Sequence, residues 1–295
     1  MASYKKVHGI NIKSYDEDPD RTYPSSAEGQ LYYSASDGQI KFLGIGSGAW
    51  ASGDNMNTAR TYFSGSGSLT AGLAIAGLIN GGTPMAARTV GFVESYDGSS
   101  WTEVGDANQA RIHAGSSGTS TSSLVTGGVS YEPGSATLLS VNESWNGSSW
   151  TEVGDLNSGR TTCGCAGTQT AALNFGGDNV GNGTVTQLNE SWNGSSWTEL
   201  ADLNTAGRLN AGGAGESTEA MYMGRYNPSP GNFDLCEQWN GSSWTEVNDL
   251  STGRFFAAGS GTQSAGLLAG GRTGPGTTNL NNTEEFSGVF QITPE

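Results

Sequence analysis

Acid–base pairs recur through this 295-residue chain: Asp54/Arg60, Asp106/Arg111, Asp155/Arg160, Asp202/Arg208 and Asp249/Arg254. Gathered on one surface, they would make a charged ring able to hold a ligand. The plainer expectation is that they are ion pairs and turn hydrogen bonds internal to a repeat, because a site is usually made by breaking symmetry. The only histidines, His8 and His113, have no recognisable partners for a nucleophilic triad. Cys163, Cys165 and Cys236 are too few to build a metal site. Cys163 and Cys165 would share one face of a strand and are expected as small buried residues, not as a disulfide. An odd cysteine count suits a reducing compartment. Paired carboxylates of the glycosidase kind would have to come from acids outside the repeat. Glu216 and Glu219 stand outside it, and exposed surface is their expected place. Asn-Gly-Ser at Asn146, Asn193 and Asn240 fits a glycosylation acceptor. It fits a hairpin turn better, since tight turns need positive φ. No catalytic residue, cofactor or metal is therefore expected. The candidate ligand contacts are aromatics where the repeat is broken: Tyr131, Tyr222, Tyr226 and Phe233.

The elements that must position these residues are announced by the repeat itself. ESWNGSSWTEVGDLNSGR from Glu143 returns as ESWNGSSWTELADLNTAGR from Glu190 and EQWNGSSWTEVNDLSTGR from Glu237. ESYDGSSWTEVGDANQAR from Glu94 is an earlier copy, and a truncated one runs from Trp50 to Arg60. The anchors Trp50, Trp101, Trp150, Trp197 and Trp244 are 51, 49, 47 and 47 residues apart, and Phe290 follows 46 residues later. The 235 residues from Thr61 to Glu295 thus divide into five units averaging 47. Between anchors lie a small-residue run, an apolar run and paired glycines, as in Leu173-Asn174-Phe175-Gly176-Gly177. In the third unit this spacing predicts strands over 161–168, 171–176 and 187–192, with a fourth around Trp197. No helical apolar period is present. The anchor tryptophans and Tyr96, Trp145, Trp192 and Trp239 are expected to fill the space between neighbouring units. The first strands, such as CGCAGTQ from Cys163, are poor in bulk, as a narrow centre requires.

A formal net charge of −15 argues against nucleic acid or an anionic membrane as partner. The N-terminus is not followed by an apolar run, so neither a signal peptide nor membrane insertion is expected.

An apolar run, Gly-Gly, a spaced aromatic and then a Trp, recurring in five copies, resembles the kelch repeat over about four fifths of the chain. The resemblance implies an all-β, five-bladed kelch-like β-propeller, with an N-terminal extended arm and β-hairpin over 1–45 and the propeller over 46–295. The copper oxidases that share this architecture need histidines the chain does not place. The wording of the repeat (WTEVGDLNSGR, AGTQTAALNFGG) looks like propellers of phages of marine bacteria, which are structural proteins of the virion. That likeness implies a tail or fibre-associated appendage, made in the host cytoplasm and used for host attachment. The alternatives are a capsid decoration protein and a free glycan-binding lectin.

The first 45 residues differ in composition. Residues 13–24 are polar and carry Asp16-Glu17-Asp18-Pro19-Asp20. Leu31–Leu43 reads as a hairpin around Ser36-Asp37-Gly38. Other virion proteins, met through this arm, are the expected partners, and a host-surface glycan is the candidate ligand of the propeller. The Trp50 segment is expected to seal the ring or to pack on this hairpin.

Overall fold

The computed structural model describes residues 53–80, 85–132, 135–179, 185–207, 212–224, 234–273 and 278–287, together with the backbone of four N-terminal strands. The chain forms two units, Met1–Gly53 and Asp54–Glu295. In the first, β1 (Ser3–Val7) pairs antiparallel with β2 (Ile10–Tyr15). β2 runs parallel to β3 (Leu31–Ser34), and β3 pairs antiparallel with β4 (Gln39–Phe42). The expected hairpin is present, with Leu31 opposite Phe42. Where an extended arm was expected, two further strands join it in one sheet.

The second unit is a five-bladed β-propeller. Blade 1 holds β5 (Arg60–Thr61), β6 (Ser64–Ser68), β7 (Ala71–Ile79), β8 (Thr89–Tyr96) and β9 (Trp101–Val104). Blade 2 is β10 (Gly115–Thr119), β11 (Ser122–Thr126), β14 (Asn142–Trp145) and β15 (Trp150–Val153). A separate hairpin, β12 (Val129–Glu132) and β13 (Ser135–Leu138), is inserted between its second and third strands. Blade 3 is β16 (Gly164–Gly167), β17 (Ala172–Phe175), β18 (Asn189–Trp192) and β19 (Trp197–Glu199). Blade 4 is β20 (Gly212–Gly215), β21 (Ala220–Met223), β22 (Cys236–Trp239) and β23 (Trp244–Val247). Blade 5 contributes β24 (Ala258–Gly261), β25 (Ala265–Ala269) and β28 (Thr283–Ser287), with the hairpin β26 (Arg272–Thr273) and β27 (Thr278–Asn279) between the last two. Every pairing within a blade is antiparallel. Phe290 and Trp50 itself lie outside the described residues.

Local chemistry explains the blade. The Asn-Gly step between third and fourth strands turns the chain as expected. Gly147, Gly194 and Gly241 each take φ near +92°, a conformation glycine adopts without steric cost. The Asn146 carboxamide oxygen accepts the Ser148 and Ser149 amides at 2.9 Å, and Asn193 and Asn240 repeat the arrangement. In blade 1 Asp97 replaces Asn. Its bonds from the Ser100 and Ser99 amides and the Ser99 hydroxyl lower its pKa to about 2. The paired glycines serve close approach: a Cβ on Gly128 would sit 2.8 Å from the Ile112 carbonyl of the crossing linker.

The core lies between blades. Trp145 and Trp150 of blade 2 pack with Leu73, Ile75 and Val93 of blade 1. Trp192 and Trp197 of blade 3 pack with Leu124 of blade 2. Trp239 and Trp244 of blade 4 meet Leu173 and Phe175 of blade 3. All six tryptophans are at most 7% exposed. Each removes on the order of 150–250 Å² from water, which is why the aromatic pair dominates the stacking. At the centre the first strands of all five blades converge on one narrow channel. Ser64, Gly65, Gly115, Cys165, Gly213 and Gly259 are among its lining residues, with about 160 Å³ of free space. Small residues are what this crowding admits: a Cβ on Gly115 would fall 2.3 Å from the Cys165 sulfur.

Candidate functional site at the channel mouth

The repeated arginines are scaffold. Arg111 reaches not Asp106, which is exposed, but Glu143 in β14, at 2.5 Å with both side chains fully buried. Arg60–Glu94, Arg160–Glu190 and Arg254–Glu284 are the equivalent pairs. Arg208 lies outside the described residues. Glu143 also accepts the Asn108 amide, the Asn108 carboxamide and the Gln109 amide at 2.7, 2.8 and 3.0 Å. Arg111 donates further to the Gly127 and Val141 carbonyls. The linker from one blade is thus tied to the third strand of the next. Burial lowers the Arg111 pKa, and the Glu143 carboxylate opposes that shift. The expected Asp–Arg pairing is therefore corrected. The aspartate sits on the exposed face of the linker, while the arginine turns inward to a carboxylate about thirty residues further on.

Two residues after each of these arginines the chain does something unusual. Tyr62, His113, Thr162 and Phe256 all adopt φ between 55° and 58°. Non-glycine side chains in this left-handed region cost free energy, and β-branched or bulky ones most. The position is locked by backbone bonds between blades. His113 donates its amide to the Tyr62 carbonyl at 3.0 Å, and Thr162 to the His113 carbonyl at 2.9 Å. The fourth repeat carries Asn210 here, outside the described residues.

These residues stand around the mouth of the channel. The Tyr62 and His113 ring centroids are 4.3 Å apart, and His113 and Phe256 stack at 6.2 Å with 24° between planes. Tyr62, Phe63 and Phe256 are 47%, 43% and 39% exposed, and only one other large hydrophobic among the described residues is as open, Leu69. Together with Thr61, Thr162, Arg272 and Asn279 they line a bowl of about 720 Å³. Among the described residues no acidic side chain lines it. Burial depresses His113 to about 4, so the imidazole is neutral at pH 7. Cys163 lies at the bowl's base, and the Asn174 carboxamide donates to its sulfur at 3.1 Å and to Cys165 at 3.5 Å. Cys163 and Cys236 are buried and Cys165 is partly so, and none of the three is disulfide-bonded.

Of the aromatic candidates, Tyr131 lies on the β12–β13 hairpin, half-buried against Leu78, Ile112 and Val129. It borders a second hollow of about 600 Å³, which His113 and Thr162 share with the first. Tyr222 is not an exposed contact. It is fully buried, edge-on to Phe175 at 5.6 Å, at the position Asn174 holds in blade 3. The second strand turns that position toward the preceding blade, so a large ring there is core. Tyr226 and Phe233 lie outside the described residues. Glu216 and Glu219 are exposed in the turn joining β20 and β21. Among the described residues no group of three or more His, Cys, Asp or Glu is placed to hold a metal ion.

Among the described residues, none of those singled out from the sequence as ligand contacts lies in this mouth. Its signal is positional: the arginine is kept in every repeat, while counting two from it yields Tyr, His, Thr, Asn and Phe. No protein-family model and no curated protein matches this chain.

Proposed function

We propose that the chain is a non-catalytic attachment protein of a phage particle, a tail or fibre-associated appendage whose propeller contacts the host surface. The observation that carries the attachment role is the channel mouth. The repeat is spent on buried ion pairs and interblade tryptophans, and chemical variety gathers at one concave, aromatic, solvent-open place. Loops held by a rigid scaffold are where binding residues concentrate. The virion assignment is supported by the kelch-like repeat and its likeness to propellers of phages of marine bacteria. The N-terminal unit, distinct in composition, is the part proposed to join other virion proteins. Gold-labelled antibody on purified particles tests this. Labelling at the tail or its fibres is the expected result. Labelling over the capsid would favour a decoration protein, and absence from washed particles would overturn the virion reading. Deleting residues 2–28 should leave a folded propeller that no longer joins the particle.

A further inference from the structure

Resting on that attachment reading, we propose that the channel mouth binds an uncharged pyranose ring at the end of a surface glycan, one per propeller. The Tyr62, His113 and Phe256 rings converge across the channel from blades 1, 2 and 5. They present an apolar platform of the size that the C–H face of one sugar ring covers. The bowl above it has the volume of a small-ligand site. Arg272 and Asn279 stand in its wall and can hydrogen-bond hydroxyls around the ring's edge.

The competing ligand classes fit less well. An aromatic cage for a quaternary ammonium is disfavoured because the lining, among the described residues, contains arginine and no carboxylate. A nucleotide or other polyanion meets a chain of net charge −15 and a bowl whose two described arginines are Arg60, buried and paired with Glu94, and Arg272. A neutral polyol meets neither obstacle. Backbone conformation adds an independent argument. Tyr62 and Phe256 hold φ of 58° and 57°, where Asn or Gly would sit more comfortably. Aromatic rings at the positions least suited to them point to a role other than folding.

The same feature supplies clean variants. Tyr62→Asn and Phe256→Asn remove the rings and suit the backbone better, so loss of binding cannot be ascribed to misfolding. The test is a microarray of bacterial surface glycans probed with the full chain, alongside adsorption of the labelled chain to cells. Binding to at least one glycan is expected, weakened at least tenfold by Tyr62→Asn and by Phe256→Asn. Leu69→Asn, at an 89% exposed position away from the bowl, should leave it unchanged, and so should raising salt from about 0.05 to 0.5 M. A bound glycan indifferent to both mouth variants would overturn the location, and strong salt dependence would overturn the uncharged ligand. Adsorption to cells with no glycan bound would refute the sugar and leave attachment standing. Failure of both would remove the attachment reading itself.

Discussion

Replacing Glu143 by alanine removes one acceptor from four donors at once. Arg111 loses its carboxylate at 2.5 Å, and the Asn108 and Gln109 amides lose theirs at 2.7 and 3.0 Å. The guanidinium is fully buried, and its remaining partners are the Gly127, Val141 and Gln109 carbonyls. Stranding a buried charge costs about 3–5 kcal/mol, and two orphaned backbone amides add to it. Against a typical total of about 5–15 kcal/mol, Glu143→Ala removes a large share of stability. Arg111→Met should cost less, because Glu143 keeps its three donors from the linker. Glu284→Ala in blade 5 should also cost less, since that carboxylate is 17% exposed and water can replace part of its loss. Urea unfolding followed by tryptophan fluorescence gives each difference from the shift in midpoint at constant slope. A loss under about 1 kcal/mol for Glu143→Ala, or a larger one for Arg111→Met, would refute the view that these pairs fasten linker to blade.

Two other outcomes follow from the same structure. Trp197→Ala empties an interblade position that is 6% exposed, and should destabilise by about 3–5 kcal/mol in the same titration. His113 binds its proton less readily folded, at about 4, than unfolded, at about 6.5. Between those values the unfolded chain carries more protons, so stability should fall by roughly 2–3 kcal/mol on acidification through that window. His113→Asn, which suits the left-handed backbone, should flatten this dependence in unfolding midpoints measured from pH 7 to 4.

Much of the fold was legible because the repeat writes the same chemistry five times. The predicted second strand over 171–176 is Ala172–Phe175, and the third over 187–192 is Asn189–Trp192. The predicted first strand over 161–168 proved shorter, Gly164–Gly167. Its leading residues Thr161 and Thr162 instead carry the interblade bonds at the mouth. The ion-pair partner was harder to see. Asp106 and Arg111 are close in sequence, but the buried carboxylate lies on a strand reached only after a full hairpin. Tyr222 misled because a departure from the repeat looks alike whether it faces solvent or the preceding blade; only the facing of β21 distinguishes them. The mouth was hidden for another reason. Its residues come from blades 1, 2, 3 and 5, and what unites them is a backbone angle that no residue type announces.

The propeller combines a repeated scaffold with one variable mouth, and adsorption of the labelled chain to host cells tests that division most directly. The Tyr62→Asn/Phe256→Asn double variant should unfold at the wild-type urea concentration or a higher one and lose adsorption at least tenfold. A folded double variant that still adsorbs like the wild type would contradict it.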